Sequence, residues 1–152
     1  MTTKGEPRAP LEFRTDLPAL APAPGFLALC ESEGIAFEPG DVERLGRFLA
    51  ILLAGNEQVN LTAITEPEEA WRKHIFDALT LLPMLAELPE GARVMDVGSG
   101  GGVPGVPLAI ALPGLAFSLA EATEKKAQFL SAAVAALGLK NAAVVKSLAE
   151  PD

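Results

Sequence analysis

Residues 92–105 read Ala-Arg-Val-Met-Asp-Val-Gly-Ser-Gly-Gly-Gly-Val-Pro-Gly, and no other stretch restricts the fold of this chain as tightly. Val94, Met95 and Val97 make an apolar strand run around the acid Asp96. Gly98, Gly100, Gly101 and Gly102 follow, and Pro104 opens a helix. Glycines at alternate positions let the backbone bend at positive φ and leave no Cβ in the way of a ligand lying against the chain. A loop that only turned a corner would carry the entropic cost of four glycines in five residues for no gain.

Two frames fit these glycines. Counted from Gly98, an acid two residues upstream precedes glycines at every second position (Asp96, Gly98, Gly100, Gly102), the spacing of S-adenosylmethionine methyltransferases. Counted from Gly100, the set Gly100, Gly102 and Gly105 satisfies the dinucleotide pattern and would suit one half of a nicotinamide-dependent oxidoreductase. That second frame starts late and contains Pro104, whereas a dinucleotide fingerprint starts as the strand ends and keeps the helix start free for pyrophosphate.

From residue 92 onward the pattern is strand, turn, helix, strand, helix, strand. Strands are expected at 93–97, 115–120 and 142–146. A short helix is expected from Pro107 at its first position to before Pro113. A second, capped by Thr123, is expected to run to Leu137 and end at Gly138. This alternation is the first half of a Rossmann-like, doubly wound α/β domain with three parallel strands, over residues 91–152. Glu121 falls at the carboxyl end of the second strand, 25 residues after Asp96. An acid there can accept hydrogen bonds from both ribose hydroxyls of an adenosine, although an acid at a helix start is also favoured by the helix dipole alone.

A helical segment is expected over residues 25–90. Residues 25–33 and 41–56 read as helices, the second with Asp41 as cap and Val42, Leu45, Phe48, Leu49, Leu52 and Leu53 at helical spacing. Asn60-Leu61-Thr62-Ala63-Ile64 leads to a third helix, begun by a Thr65–Glu68 capping box and given apolar faces by Ala70, Trp71, Phe76, Leu79, Leu82 and Met84. Arg72, Lys73, His74 and Asp77 cluster on it. Such charges are most often a solvated helix face; the sharper reading is a phosphate- or substrate-contacting group near the cofactor. Residues 1–24, with five prolines and no apolar periodicity, are expected to be a poorly ordered extension.

Composition narrows the function. At 152 residues and 49% hydrophobic, the chain suits one domain with one core. The net charge of -8 is concentrated in residues 1–70, which hold twelve acids and five bases, so any RNA contact needs a local basic patch. One cysteine, Cys30, and one histidine, His74, leave no disulfide and no metal-ligand cluster to expect. With no apolar leader at the N-terminus, a cytoplasmic setting is expected. Residues 97–120 carry no charge but hold six glycines and three prolines, so they are expected to fold as strand, turn and helix, with no membrane span.

The residues also carry a resemblance. Asn60 to Ile64, Glu68 to Leu79, Asp96 to Ile110 and Glu121-Ala122-Thr123-Glu124-Lys125-Lys126, in this order and spacing, resemble the GidB/RsmG family of bacterial small-subunit ribosomal RNA methyltransferases. The match covers roughly residues 40–150. It implies methyl transfer from S-adenosylmethionine to N7 of a guanosine in 16S rRNA of the 30S subunit. It also implies cofactor contacts at Gly98 and Val103, at Glu121, Ala122 and Thr123, and at Ala149 and Glu150, within a site that includes Asp96, Gly100 and Gly102. Asp96 is expected to support the loop and the methionine amino group, while the loop amides and helix start face the methionine carboxylate. Asn60, Arg72, Lys73 and His74 are expected on the RNA side. Guanine N7 has a free lone pair and loses no proton on attack, so alignment suffices and no catalytic acid or base is expected. Because N7 lies in the deep groove of A-form RNA, the target is expected in a loop or distorted helix.

Several positions depart from the family pattern. Gly101 and Val103 stand where alanine and phenylalanine are usual, and Leu148 where arginine is usual. The family continues beyond the third strand with the rest of the sheet and a further arginine, so the chain reads as a shortened member whose activity is an open question. A non-catalytic remnant or partner-binding module is the alternative of a different class. With three strands, the first would expose an unpaired edge beside an apolar face.

Overall fold

The computed structural model describes residues 11–146. The sheet has three parallel strands, β1 (Arg93–Val97), β2 (Ala116–Glu121) and β3 (Ala142–Lys146), in the spatial order β1-β2-β3. Val97 pairs with Ala120 and Glu121 with Lys146, so the strands end together at their carboxyl ends. Parallel neighbours require crossovers. The first is helix α6 (Gly105–Ala111) and the second α7 (Glu124–Leu137), which stops at Gly138 with φ 66°. The expected α/β class and incomplete Rossmann-like sheet are what the structure has. Helix α6 starts at Gly105, two residues before the expected Pro107, which becomes its third residue. A first-turn amide has no intrahelical partner, so proline loses nothing there.

Helices α1 (Phe26–Ser32) and α2 (Asp41–Gly55) precede the sheet. Asp41, expected as the cap of α2, is instead its first residue, and its carboxylate turns back to accept Glu38 N–H at 3.0 Å. A third helical run comprises α3 (Pro67–Ala70), a π-helical stretch (Trp71–Phe76) and α4 (Asp77–Leu79), followed by the short α5 (Leu82–Leu85). The expected Thr65–Glu68 capping box is not formed. Proline's fixed φ suits the first helical position, which makes Glu66 the cap; its Oε1 accepts Glu68 N–H at 2.8 Å. Met84, expected on the apolar face, is exposed, because the run breaks at Thr80 before α5 and turns that face outward.

One core joins the helical segment to the sheet. Leu45, Phe48, Leu49 and Leu52 of α2 meet Val106 and Ile110 of α6, Leu119 of β2, and Phe129, Leu130 and Ala133 of α7. Trp71, Ile75 and Leu79 join the same cluster. Each large side chain so buried contributes about 1.5–3 kcal/mol. A smaller cluster, Leu108, Leu115 and Phe117, packs beneath α5.

Residues 11–24, expected to belong to a poorly ordered extension, lie against this body. Phe13 stands edge-on to Phe129 at 5.4 Å, Leu11 N–H donates to Gln128 Oε1, and Leu20 N–H donates to Gly46 O. Gly46 makes the approach possible, since a Cβ there would sit 2.3 Å from Leu20 O. Leu11, Phe13, Thr15 and Leu17 turn inward at alternate positions although no strand forms, so irregular chain covers apolar surface here. Among the described residues β1 has no neighbour on its outer side, as the three-strand reading expects. Met95 and Val97, alternate residues of one face of β1, are 62% and 75% exposed.

Candidate cofactor site

The carboxyl ends of β1 and β2 meet at the glycine turn, whose residues serve two different surfaces. Gly98 (φ 73°) and Gly100 (φ 52°) face open space, where an added Cβ would meet nothing closer than 3.9 Å. Gly101, Gly102 and Gly105 face inward. An added Cβ would lie 2.9 Å from Leu52 at Gly101, 2.9 Å from Val106 at Gly102 and 2.4 Å from Leu119 at Gly105. Thus only part of the run leaves room for a ligand; the rest lets the turn settle onto α2, α6 and α7. Val103 is half-buried against the same core.

Glu121 closes the turn. Its Oε1 accepts Gly100 N–H at 2.8 Å and its Oε2 accepts Thr123 N–H at 2.9 Å. The side chain is 7% exposed. Burial pushes its pKa up, but hydrogen bonds from the Thr123 and Gly100 amides and the Thr123 hydroxyl, with Lys126 nearby, outweigh that and hold it below the usual glutamate value. Thr123 occupies the cap position of α7 with no side-chain capping bond. Ala122 and Thr123 are exposed beside it. A carboxylate offers about four lone-pair sites, so acceptor capacity remains toward the open side.

Asp96 makes the second tie. Its Oδ2 accepts Gly105 N–H, the first amide of α6, at 3.0 Å. Ser99, which the sequence reading did not single out, is buried and donates its hydroxyl to Asp96 O at 2.9 Å. The amides of Gly98 and Ser99 donate to Ala120 O, and that of Gly102 to Ser99 O. The expectation that the loop amides and helix start face a cofactor carboxylate is therefore not met for Gly98, Ser99, Gly100, Gly102 and Gly105. What the turn leaves over is acceptor capacity, the free lone pairs of Asp96 and Glu121. An apolar cleft of about 180 Å³ adjoins Asp96 and Pro104 and continues along β1 between Met84 and Met95.

Behind the turn lies a strap, residues 56–64. Asn56 Oδ1 accepts the amides of Leu61 (2.8 Å) and Thr62 (3.0 Å), and Leu61 O sits 3.2 Å from where a Cβ of Gly101 would be. Thr62 Oγ1 lies 2.7 Å from His74 Nε2. Burial lowers the His74 pKa, against the opposing pull of Asp77, so the ring is neutral near pH 7. Asn60 is exposed on the strap. Arg72 and Lys73 point to solvent and pair with Glu68 and Glu69, each at 3.8 Å. These pairs run from acid to base along the helix, the favourable order. The structure thus brings His74 to the turn by way of Thr62 and leaves Arg72 and Lys73 on a charge-balanced surface. Ala149 and Glu150 lie outside the described residues. Neither Asn56 nor Thr62 was singled out from the sequence, since their contacts depend on a loop path with no periodicity.

Among the described residues, no group of three or more His, Cys, Asp or Glu side chains could hold a metal, and no helix is long and apolar enough to cross a membrane. A parallel sheet with an acid-bearing glycine turn after β1 and a buried acid ending β2 is an incomplete Rossmann-like α/β arrangement. The family model described as rRNA small subunit methyltransferase G (GidB) matches residues 41–152, and the chain belongs to that family. It is 52% identical over 143 residues to a ribosomal RNA small subunit methyltransferase G of Sorangium cellulosum, covering 94% of this chain and 59% of that one. A relative of the same name from Moorella thermoacetica is 44% identical, covering 74% and 47%, and one from Myxococcus xanthus is 41% identical, covering 80% and 54%. The chain spans about half to three-fifths the length of the curated relatives it matches.

Proposed function

We propose that this chain carries the cofactor-holding part of an S-adenosylmethionine-dependent methyltransferase acting in the cytoplasm on N7 of a guanosine in 16S rRNA. The observation that carries the reading is the Glu121 carboxylate clasped between the Gly100 and Thr123 amides beside an open Gly98–Gly100 surface. Its remaining lone pairs suit two ribose hydroxyls. Asp96 and the turn carbonyls suit an ammonium and a sulfonium, both cationic. Gly98 and Gly100 leave room for the cofactor, Gly102 and Val103 shape the turn from behind, and Ala122 and Thr123 border the base side. When bound, S-adenosylmethionine supplies an electrophilic methyl group.

The chain's own residues then have only to bind and orient, because an N7 lone pair needs no base. Asn60, Arg72 and Lys73 are the residues assigned to the RNA side, with Arg72 and Lys73 able to exchange their glutamate partners for phosphate. The names of the relatives support the rRNA substrate. A nicotinamide cofactor fits less well, since Gly105 N–H, where pyrophosphate would sit, is occupied by the Asp96 carboxylate.

The test is calorimetric titration of the 152-residue chain with S-adenosylhomocysteine and, separately, NAD, followed by methyl-transfer assays on 30S particles. Saturable binding of the first alone, lost on Gly98→Trp, supports the reading. Binding of NAD, or of neither, refutes it; the latter, with association through the open sheet face (Met95, Val97), favours a partner-binding module.

A further inference from the structure

We propose that His74 is a positioning residue of the cofactor site, holding the strap 56–64 against the back of the glycine turn through Thr62, and that its contribution is read in cofactor affinity. The inference rests on the cofactor reading above. It begins with what stands behind the turn. Gly101 has Leu52 and the backbone of Leu61 as its backing, and Leu61 is wedged between Gly101 and Gly55, where an added Cβ would come within 3.2 Å of its Cδ1. A run with three glycines at positive φ has little stiffness of its own, so its shape depends on that wall.

Four side-chain hydrogen bonds hold residues 61–64 of the strap, and three involve Thr62. Its amide donates to Asn56 Oδ1, and its hydroxyl oxygen accepts Ile64 N–H at 3.0 Å. The remaining interaction, with His74 Nε2 at 2.7 Å, is the only one of these that ties the strap to the third helical run. His74 sits within the π-helical stretch, anchored on either side by the fully buried Trp71 and Ile75. A π-helical turn is uncommon and often marks a functional site. Among the described residues the buried Trp71 Nε1 of the same stretch has no hydrogen-bond partner, a second cost borne by the element that places His74.

The test measures S-adenosylhomocysteine affinity by calorimetry and amide exchange of residues 98–102 in the whole chain, for His74→Ala, His74→Gln, Thr62→Val and the double variant His74→Ala/Thr62→Val. Loss of one partly buried hydrogen bond corresponds to about three- to tenfold in affinity. His74→Ala and Thr62→Val are each expected to weaken binding in that range and speed exchange across the turn, the double variant no more than either alone. His74→Gln, whose amide nitrogen reaches the Nε2 position, is expected to restore both. Faster exchange confined to residues 60–64 with affinity unchanged overturns the proposal, as does a glutamine variant no better than alanine. If the unsubstituted chain binds no S-adenosylhomocysteine, the cofactor reading fails on its own account. Exchange at the turn then decides whether His74 positions it: acceleration in His74→Ala supports that role and no change refutes it.

Discussion

Glu121→Gln isolates the charge that closes the turn. The substitution keeps the shape of the side chain, but glutamine has one acceptor oxygen where glutamate has two, and here each oxygen accepts a different backbone amide. One of the Gly100 and Thr123 amides must therefore face an NH2 group. A hydrogen bond to a charged partner contributes about 1.5–3 kcal/mol, and the group is 7% exposed, so solvent offers little compensation. The expected loss is about 2–3 kcal/mol at pH 7, or roughly 5–10 °C in melting temperature for a domain of this size.

The pH dependence carries the sign. Because the folded Glu121 pKa lies below its usual value, the stability it contributes is fully present above the unfolded pKa of about 4.3 and is lost as pH falls through the lower folded value. Urea unfolding of both chains from pH 7 to pH 3 should show the gap between them narrowing below about pH 4.5. Equal midpoints at pH 7, or a gap that does not narrow on acidification, would refute the claim that an ionised Glu121 holds the turn.

The glycines should separate by the surface they serve. Gly105→Ala drives a Cβ to 2.4 Å from Leu119 and 2.6 Å from Asp96 Oδ2, and overpacking of this kind costs about 1–3 kcal/mol in a denaturation assay. Gly98→Ala has free space but a left-handed φ of 73°; a loss of about 1–2 kcal/mol is expected from the backbone alone. Cys30 is fully buried and burial pushes its thiol up to about 11, so maleimide should label it only as fast as the chain unfolds, and rapid native labelling would contradict that packing. Val97→Lys, at a position 75% exposed on the outer strand β1, should raise monodispersity in light scattering while changing stability by no more than about 0.5 kcal/mol.

The strands and the site's two acids were legible because each has a local signature. Val94 to Val97 is an apolar run that must end at glycine, and Glu121 closes a second such run, so chain order alone puts the two acids at the same end of neighbouring parallel strands. The lines of the helices were legible from periodicity, but their starts were not. Pro67 and Pro107 can each occupy more than one first-turn position, and only packing chose Glu66 as a cap and Gly105 as a start. The strap escaped altogether. Asn56 and Thr62 act through bonds to backbone and to a histidine twelve residues on, and no short-range pattern encodes where a loop lies. Residues 11–24 escaped for a related reason: Phe13 and Leu20 gain their burial from Phe129 and Gly46, partners remote in the chain.

The two glycine frames are separated by the direction in which the turn's polar groups point, a property the spacing does not contain. Phosphate recognition at such a turn needs unpaired amides and a helix start free of negative charge. Here the amides of Gly98, Ser99, Gly100, Gly102 and Gly105 are all donated to oxygens of the protein, two of them to carboxylates. A dianionic pyrophosphate would have to displace Asp96 from Gly105 and lie against its charge, whereas a cationic ligand with hydroxyls meets acceptors already in place. Asp96 and Glu121 therefore fix the backbone through one set of lone pairs and, on the proposed reading, would select the sign of the ligand with the rest. That double use explains why an acid two residues before the first glycine, and not the glycine spacing, is the part of the motif that separates the two ligand classes.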